Sequence, residues 1–310
     1  MTNNNDLLIE IGTEELPPKN LKRLMNALAS NFRAALQSAN FEFAEIKAYA
    51  TPRRLALVVE QLASAQPTQE VERRGPALKA AVDENGEPTK AAQGFMRSCG
   101  VTSLDELQHL ETDKGTWLAH KSSKPGETLE AMLGELLQQA LKELPIERRM
   151  RWGASRFEFV RPVHWLVTLY GTEVIDCELF GIRSGRRSRG HRFMGDRECE
   201  FNSVEEYLRT LKAQHVVADF AERQQLIKQQ LEAIAAQEQA TVEIDLDLLD
   251  EVTALVEWPV ALMGSFPNEF LKVPEEALVS AMKEHQRYFH MTDKSGKMLA
   301  KFVTISNIDS

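Results

Sequence analysis

The sequence is short of cysteine, and what it has is not arranged for structure or metal. Cys99, Cys177 and Cys199 are odd in number, widely spaced and contain no Cys-x-x-Cys pair, which sets aside a disulfide framework and a cysteine zinc site. No apolar run approaches the roughly 18 residues that cross a bilayer. The opening Met1-Thr2-Asn3-Asn4-Asn5-Asp6 has neither the basic nor the apolar region of a signal peptide, so the expectation is a cytoplasmic chain without membrane contact. Neither a Gly-x-x-x-x-Gly-Lys-Ser/Thr loop nor a Gly-x-Gly-x-x-Gly turn after a strand occurs, and His164, His191 and His285 lack any His-Glu-x-x-His or matching acid spacing. No nucleotide site of either common type, no metal site and no catalytic residue is therefore expected.

What is present is a folded protein. Hydrophobic residues make up 43% and charged residues 27%, well outside the composition of disordered chains, and 310 residues favour two or three domains over one. The net charge of -9 argues against indiscriminate binding of polyanions. It hides a local reversal. From Arg148 to Arg197 there are eleven arginines, no lysine and five acids, a net +6 within an acidic chain.

Asp6 to Gly12 reads as a short apolar strand, and Thr13, Glu14, Glu15, Pro17 and Pro18 mark the turn into a helix with Leu21, Leu24, Met25, Leu28, Phe32 and Leu36 on one stripe. Glu10, Glu14 and Glu15 read as compensating the helix dipole. Strands near Ala44 to Ala50 and Arg54 to Leu62 flank the Thr51-Pro52 break. Turns are expected at Asp83-Glu84-Asn85-Gly86 and Asp113-Lys114-Gly115, a helix from Pro88 capped by Gly100, and strands around Gln108 to Lys121. A helix with Leu129, Leu133, Leu136, Leu137 and Leu141 follows. Ser203 and Glu206 have the form of a capping box for a helix through Leu211, and a longer helix spans Asp219 to Gln237. Strand Val260 to Phe266, a helix from Pro274 to about His285 and a hairpin at Lys294-Ser295-Gly296 complete the pattern. The fold class is α+β and multidomain: an N-terminal strand-helix-strand-strand module (1–65), a small middle module (66–146), an arginine-rich β domain (147–200) and a mixed helix and strand part (201–310).

Several stretches in this order resemble one family. They are Leu7-Leu8-Ile9-Glu10-Ile11-Gly12-Thr13-Glu14-Glu15-Leu16-Pro17-Pro18, Thr51-Pro52-Arg53-Arg54-Leu55, Lys90-Ala91-Ala92-Gln93-Gly94-Phe95, Met150-Arg151-Trp152-Gly153, Phe159-Val160-Arg161-Pro162-Val163-His164-Trp165, Gly190-His191-Arg192-Phe193, Glu257-Trp258-Pro259 and His285-Gln286-Arg287-Tyr288-Phe289. Together they resemble the beta subunit of bacterial tetrameric glycine-tRNA ligase, as an N-terminal fragment. The resemblance implies an aminoacyl-tRNA synthetase subunit that binds glycine tRNA and assembles with an alpha subunit as a heterotetramer of two alpha and two beta chains. It implies that ATP and magnesium belong to the alpha subunit, with no cofactor in this chain, and that the fragment by itself is inactive. In that family the chain continues into an HD-type domain and an anticodon-binding domain. The strand Lys301 to Ile308 accordingly reads as lying inside a larger protein.

Planar guanidinium groups bind phosphate bidentately and stack on unpaired bases. The residues expected to meet RNA are therefore Arg148, Arg149, Arg151, Arg183, Arg186, Arg187, Arg189, His191 and Arg192. Two other readings stand beside this one. In one, the arginines form ion pairs within a scaffold whose RNA contacts lie in the missing C-terminal part. In the other, the chain is a hydrolase that edits mischarged tRNA, an analogy at the level of fold. Trp152, Trp165 and Trp258, each next to apolar or proline residues, read as core more than as base-stacking groups.

Overall fold

A computed structural model describes residues 4–83, 87–113 and 115–309. The turn expected at Asp83-Glu84-Asn85-Gly86 and the centre of that at Asp113-Lys114-Gly115 lie outside these residues. The chain forms two compact units, one of residues 1–64 with 129–310 and one of residues 65–128.

The first unit is built on an antiparallel five-stranded sheet. Strand β1 (Asn4–Thr13) leads into helix α1 (Pro18–Ser38), followed by β2 (Ile46–Thr51) and β3 (Arg54–Ala63). The apolar run Leu7 to Ile11 becomes a strand buried on both faces, which is why it does not alternate with polar residues. Leu7, Ile9 and Ile11 turn to one face, where they pack with Leu55, Leu57 and Val59 against Leu21, Leu24, Leu28 and Phe32 of α1. Pro18 sits at the first helical position, where its missing N–H costs nothing. Leu8 and Glu10 turn to the other face.

The second unit contains β4 (Gln69–Ala77), α2 (Leu78–Ala81), α3 (Lys90–Cys99), β5 (Gln108–Thr112) and β6 (Gly115–Lys124), the strands in the order β4-β6-β5. Thr89 accepts from the Ala92 N–H at the start of α3, and Gly100 ends that helix at φ 73°, a left-handed conformation that glycine adopts without penalty. Ala81, Ala92, Met96, Leu107 and Leu118 form its core.

The chain then returns to the first unit. Helix α4 (Leu129–Lys142) buries Leu133, Leu136, Leu137 and Leu141 in the core that also holds the α1 leucines. The compact second unit thus ends before α4, whereas the middle module read from sequence extended to residue 146. Apolar periodicity finds a helix without saying which core receives it. Short strands β7 (Met150–Arg151) and β8 (Glu158–Phe159) precede β9 (Val163–Tyr170) and β10 (Glu173–Val174). The first sheet runs β10-β9-β1-β3-β2. The centre of the arginine-rich segment is thus a strand of the N-terminal sheet, and its sequence boundary at residue 147 does not separate it from that module. Two-residue pairs β11 (Glu178–Leu179) with β12 (Ile182–Arg183) and β13 (Arg187–Ser188) with β14 (Cys199–Glu200) follow.

Helix α5 (Tyr207–Ala213) covers the second face of the sheet with Phe201, Val204, Tyr207, Leu211 and Val216, against Leu8, Ala56, Trp165, Val167 and Leu169. The expected capping box does not form there. The Ser203 side chain makes no capping bond, and Val204–Glu206 is a 3-10 turn. Helix α6 (Phe220–Gln237) is capped by Asp219, which accepts from the N–H groups of Ala221 and Glu222. It joins α7 (Leu246–Thr253) on a four-stranded sheet in which β15 (Thr241–Val242), β17 (Phe289–Thr292), β18 (Met298–Ser306) and β16 (Val260–Ser265) lie in that order. The helix expected from Pro274 is α8 (Glu275–Ser280), continued by a π-turn over Ala281–Gln286. Among the described residues no helix is long and apolar enough to cross a membrane.

Candidate functional site

The register of the first sheet places polar groups where an apolar face would be expected. Glu10 lies opposite Ala56 and Val167, and Gly12 lies between Arg54 and Trp165. A Cβ on Gly12 would fall 1.8 Å from the Trp165 ring, so only glycine lets the indole lie flat over β1. The loop Thr13 to Leu16 is stitched to its neighbours by backbone bonds. Thr13 N–H donates to Arg53 O at 2.8 Å, Glu14 N–H to Pro162 O at 2.9 Å and Leu16 N–H to Pro52 O at 2.7 Å. Three separate sequence motifs therefore meet at one end of the sheet.

Beneath this junction lies a buried ionic network. Arg54 and Glu10 are both 0% exposed and Glu257 is 1% exposed, and burying unpaired charges at such depth would be prohibitive. Arg54 donates to Glu10 Oε2 at 3.3 Å, Glu257 Oε1 at 3.3 Å, Thr51 Oγ1 at 3.1 Å and Arg189 O at 2.8 Å. Glu10 also accepts from Trp165 Nε1 at 2.6 Å, Tyr207 OH at 2.8 Å and the Ser188 hydroxyl. Glu257 accepts from Thr51 Oγ1 at 2.8 Å and Arg53 Nη2 at 2.9 Å. Burial works against the charge on Arg54, yet the Glu10 and Glu257 carboxylates outweigh it and raise its pKa. Burial would raise Glu257, but Arg54 and Arg53 hold it below the usual carboxylate range. Tyr207 is pushed well above its ordinary value by burial and then by Glu10. Arg223, fully buried, is lowered to about 10 chiefly by desolvation. It donates to Thr253 O at 3.0 Å and to Ala50 O at 2.7 Å, as well as to Val217 O.

This network corrects the dipole reading of the N-terminal acids: Glu10 is a core ion-pair partner, and the first turn of α1 contains no acid. Glu14 instead lies 2.9 Å from His164 Nε2.

Above the network is a cavity of about 310 Å³ lined by Thr13, Glu14, Arg53, His164, Trp165, Arg189, Gly190, His191, Arg192, Gly195, Asp196 and Arg197. Of the nine residues expected to meet RNA, the structure gathers three here: Arg189, His191 and Arg192. The Arg189 guanidinium stands 5.0 Å from the centre of the Trp165 ring, and Arg192 is exposed, 4.0 Å from Glu15. His191 is 1% exposed and its Nδ1 accepts from the N–H groups of Phe193 and Met194 at 3.3 and 3.2 Å. Its ring is therefore held inside the loop that lines the cavity.

The others are dispersed. Arg148 and Arg149 are exposed beyond α4, with Arg149 Nη2 donating to Lys142 O at 3.0 Å. Arg151 donates to Glu158 at 2.6 Å, Arg183 to both oxygens of Asp176 at 2.6 and 2.5 Å, and Arg187 to Glu200 at 2.7 Å. Arg186 holds backbone, donating to Phe201 O at 3.3 Å and Thr172 O at 3.1 Å. Exposed pairs of this kind are individually weak and leave a guanidinium available to a stronger anion.

Sequence reasoning did not assign a role to Arg53, Arg54, Glu257, Tyr207 or Arg223. One signal was legible: a single carboxylate inside the apolar run Leu7 to Ile11 requires a buried cation somewhere. Its partner lies 44 residues away and could not be read from spacing. Among the described residues no group of histidine, cysteine, aspartate and glutamate side chains is placed to hold a metal ion.

The sequence matches the family described as "Glycyl-tRNA synthetase beta subunit" over residues 7–310. It is 51% identical over 309 residues to the glycine–tRNA ligase beta subunit of Hahella chejuensis, covering 99% of this chain and 44% of that protein. It is 50% identical over 304 residues to the same subunit of Chromohalobacter salexigens and 48% identical over 307 residues to that of Marinobacter nauticus, in each case over 98% of this chain and 44% of the relative. The chain thus spans less than half the length of these relatives. The match extends from β1 to the end of β18 and takes in every residue of the ionic network and of the cavity: the chain belongs to the glycyl-tRNA synthetase beta subunit family.

Proposed function

We propose that this chain is the tRNA-contacting and assembly part of a glycine–tRNA ligase, supporting the ATP-dependent attachment of glycine to its tRNA by a partner alpha subunit. In this reading two alpha and two beta chains assemble in the cytoplasm, and ATP and magnesium are held by the alpha subunit. The observation that supports RNA contact is the cavity at the end of the first sheet, where guanidinium groups of Arg53, Arg189, Arg192 and Arg197 outnumber the carboxylates of Glu14 and Asp196. Arg148 and Arg149, elsewhere in the same segment, are also exposed, as is Arg187 beside Glu200. A phosphate backbone meeting such a surface releases condensed counterions, so affinity depends steeply on salt.

A second reading makes the arginine block a set of ion pairs and moves tRNA contacts to other parts of the longer relatives. The pairing of Arg151, Arg183 and Arg187 with Glu158, Asp176 and Glu200 favours it. The two are separated by titrating labelled glycine tRNA at several salt concentrations with the unaltered chain and with a variant carrying Arg148→Ala, Arg149→Ala and Arg187→Ala. RNA contact predicts weaker binding and a log-log salt slope shallower by about 2 to 3. Equal affinity and slope in a folded variant would assign the block to the second reading.

A further inference from the structure

We propose that the cavity at the end of the first sheet is a built site for one phosphate group. Identifying RNA as the source of that phosphate rests on the function proposed above.

The first argument is the balance of charge and pairing. Both carboxylates that line the cavity are already occupied: Glu14 lies 2.9 Å from His164 Nε2, and Asp196 Oδ2 accepts from Gln214 Nε2 at 2.9 Å. The guanidiniums of Arg189 and Arg197 are not. Among the described residues Arg53 engages Nη2 alone, which donates to Gly190 O at 2.8 Å and to its ion-pair partner Glu257 at 2.9 Å, and Arg192 lies 4.0 Å from Glu15. The side chain of Arg189 meets the Trp165 ring and makes no hydrogen bond among the described residues, and Arg197 has neither a hydrogen bond nor an ion pair among them. Guanidinium groups fixed against a ring or a backbone carbonyl are preorganised for a tetrahedral oxyanion, which lowers the ordering cost of binding.

The second argument is independent of charge. Because His191 Nδ1 accepts two backbone N–H groups, the neutral ring carries its proton on Nε2. That Nε2 is buried and has no partner among the described residues. A buried donor without an acceptor is costly, and His191 lines this cavity. An acceptor such as a phosphate oxygen would satisfy it. The loop that holds the ring is tightly closed: Gly190 N–H donates to Asp196 O at 3.1 Å and Gly195 N–H to His191 O at 3.0 Å. A Cβ on Gly195 would fall 2.6 Å from backbone atoms of Gln214 and His191, so glycine is required for the closure. The volume of about 310 Å³ leaves room for a phosphate with its ester substituent.

The test titrates inorganic phosphate into the chain labelled with nitrogen-15 at histidine, reading the His191 ring resonances, alongside Arg189→Ala and Arg192→Ala. Neither arginine belongs to the buried network by its side chain, so both variants should fold. A saturable shift at His191 Nε2, with binding about tenfold weaker in Arg189→Ala as for loss of one charge-assisted contact, supports the site. No saturable shift, or affinity in both variants equal to that of the unaltered chain, overturns it. The source is then read by competition with 5′-phosphorylated and 5′-hydroxyl glycine tRNA. Displacement of phosphate by both supports an internal phosphodiester, and displacement by the phosphorylated form alone supports a terminal monoester. Displacement by neither overturns RNA as the source while the phosphate site stands. Loss of tRNA binding in the exposed-arginine variant is a separate result bearing only on the function proposed above.

Discussion

The ionic network under the cavity makes a quantitative prediction. Arg54→Met keeps much of the side-chain volume and removes the cation. Its guanidinium is fully buried and donates to Glu10, Glu257, Thr51, Ser188 and the carbonyl of Arg189. The two carboxylates do not suffer equally. Glu257 keeps Arg53 at 2.9 Å, whereas Glu10 is left with only neutral donors, Trp165, Tyr207 and Ser188. Breaking a buried pair by removing one partner costs about 3–5 kcal/mol, because the remaining charge is uncompensated. Urea unfolding followed by tryptophan fluorescence and circular dichroism would measure the loss. Adding Glu10→Gln removes the orphaned charge while keeping a hydrogen-bonding side chain, so the double variant should be more stable than Arg54→Met alone, with a coupling of at least about 1 kcal/mol. A cost below about 1 kcal/mol for Arg54→Met, or simple additivity of the two changes, would refute the argument that the pair is mutually dependent.

Glu257 supplies a pH test. Its folded pKa lies below the ordinary value of 4.5, so its contribution to stability is fully present above that value and is lost as pH falls through the lower folded value. Glu257→Gln should therefore flatten acid destabilisation below pH 4.5 in denaturant midpoints measured across that range, and unchanged slopes would count against it. Tyr207→Phe removes the hydroxyl that donates to Glu10 at 2.8 Å and is expected to cost about 1.5–3 kcal/mol, the range for a hydrogen bond to a charged group, in the same unfolding assay. Gly12→Ala should expel the Trp165 indole, costing about 3 kcal/mol as severe overpacking and shifting tryptophan emission to longer wavelength. Cys199, raised by burial and then by Glu10 to about 11, should resist alkylation at pH 8 in the folded chain and react on unfolding, as peptide mapping after iodoacetamide treatment would show.

How much of this was open to a reader of the sequence follows from range. Helix α1, with Leu21, Leu24, Leu28 and Phe32 at helical spacing, α3 closed by Gly100 and α6 capped by Asp219 are local facts, set by periodicity and by caps a few residues away. So were the strands β1, β3 and β9, whose apolar runs admit little else, and the reversal of charge after residue 147. The capping box at Ser203 shows the limit of even this local reasoning. The right residues at the right spacing did not close: the Ser203 side chain makes no capping bond, and Glu206 Oε2 accepts from Asn202 instead.

The site lay beyond local reasoning for a physical reason. Counting arginines identified a cationic segment but could not separate Arg183, held by Asp176, and Arg186, spent on carbonyls, from Arg189 and Arg192 at the cavity. That sorting is made by pairing across the sheet. Arg53, which lines the cavity from 137 residues before Gly190, was seen in a motif and given no task. From the sequence alone came most of the elements, the family and the cationic segment, while Glu10 read as an acid compensating a helix dipole. That Glu10 is buried against Arg54, and which arginines are left without an ion pair, is set by tertiary contacts. A buried charge is tolerated only beside its partner, and partners separated by 44 and 203 residues are chosen by the register of strands rather than by spacing along the chain.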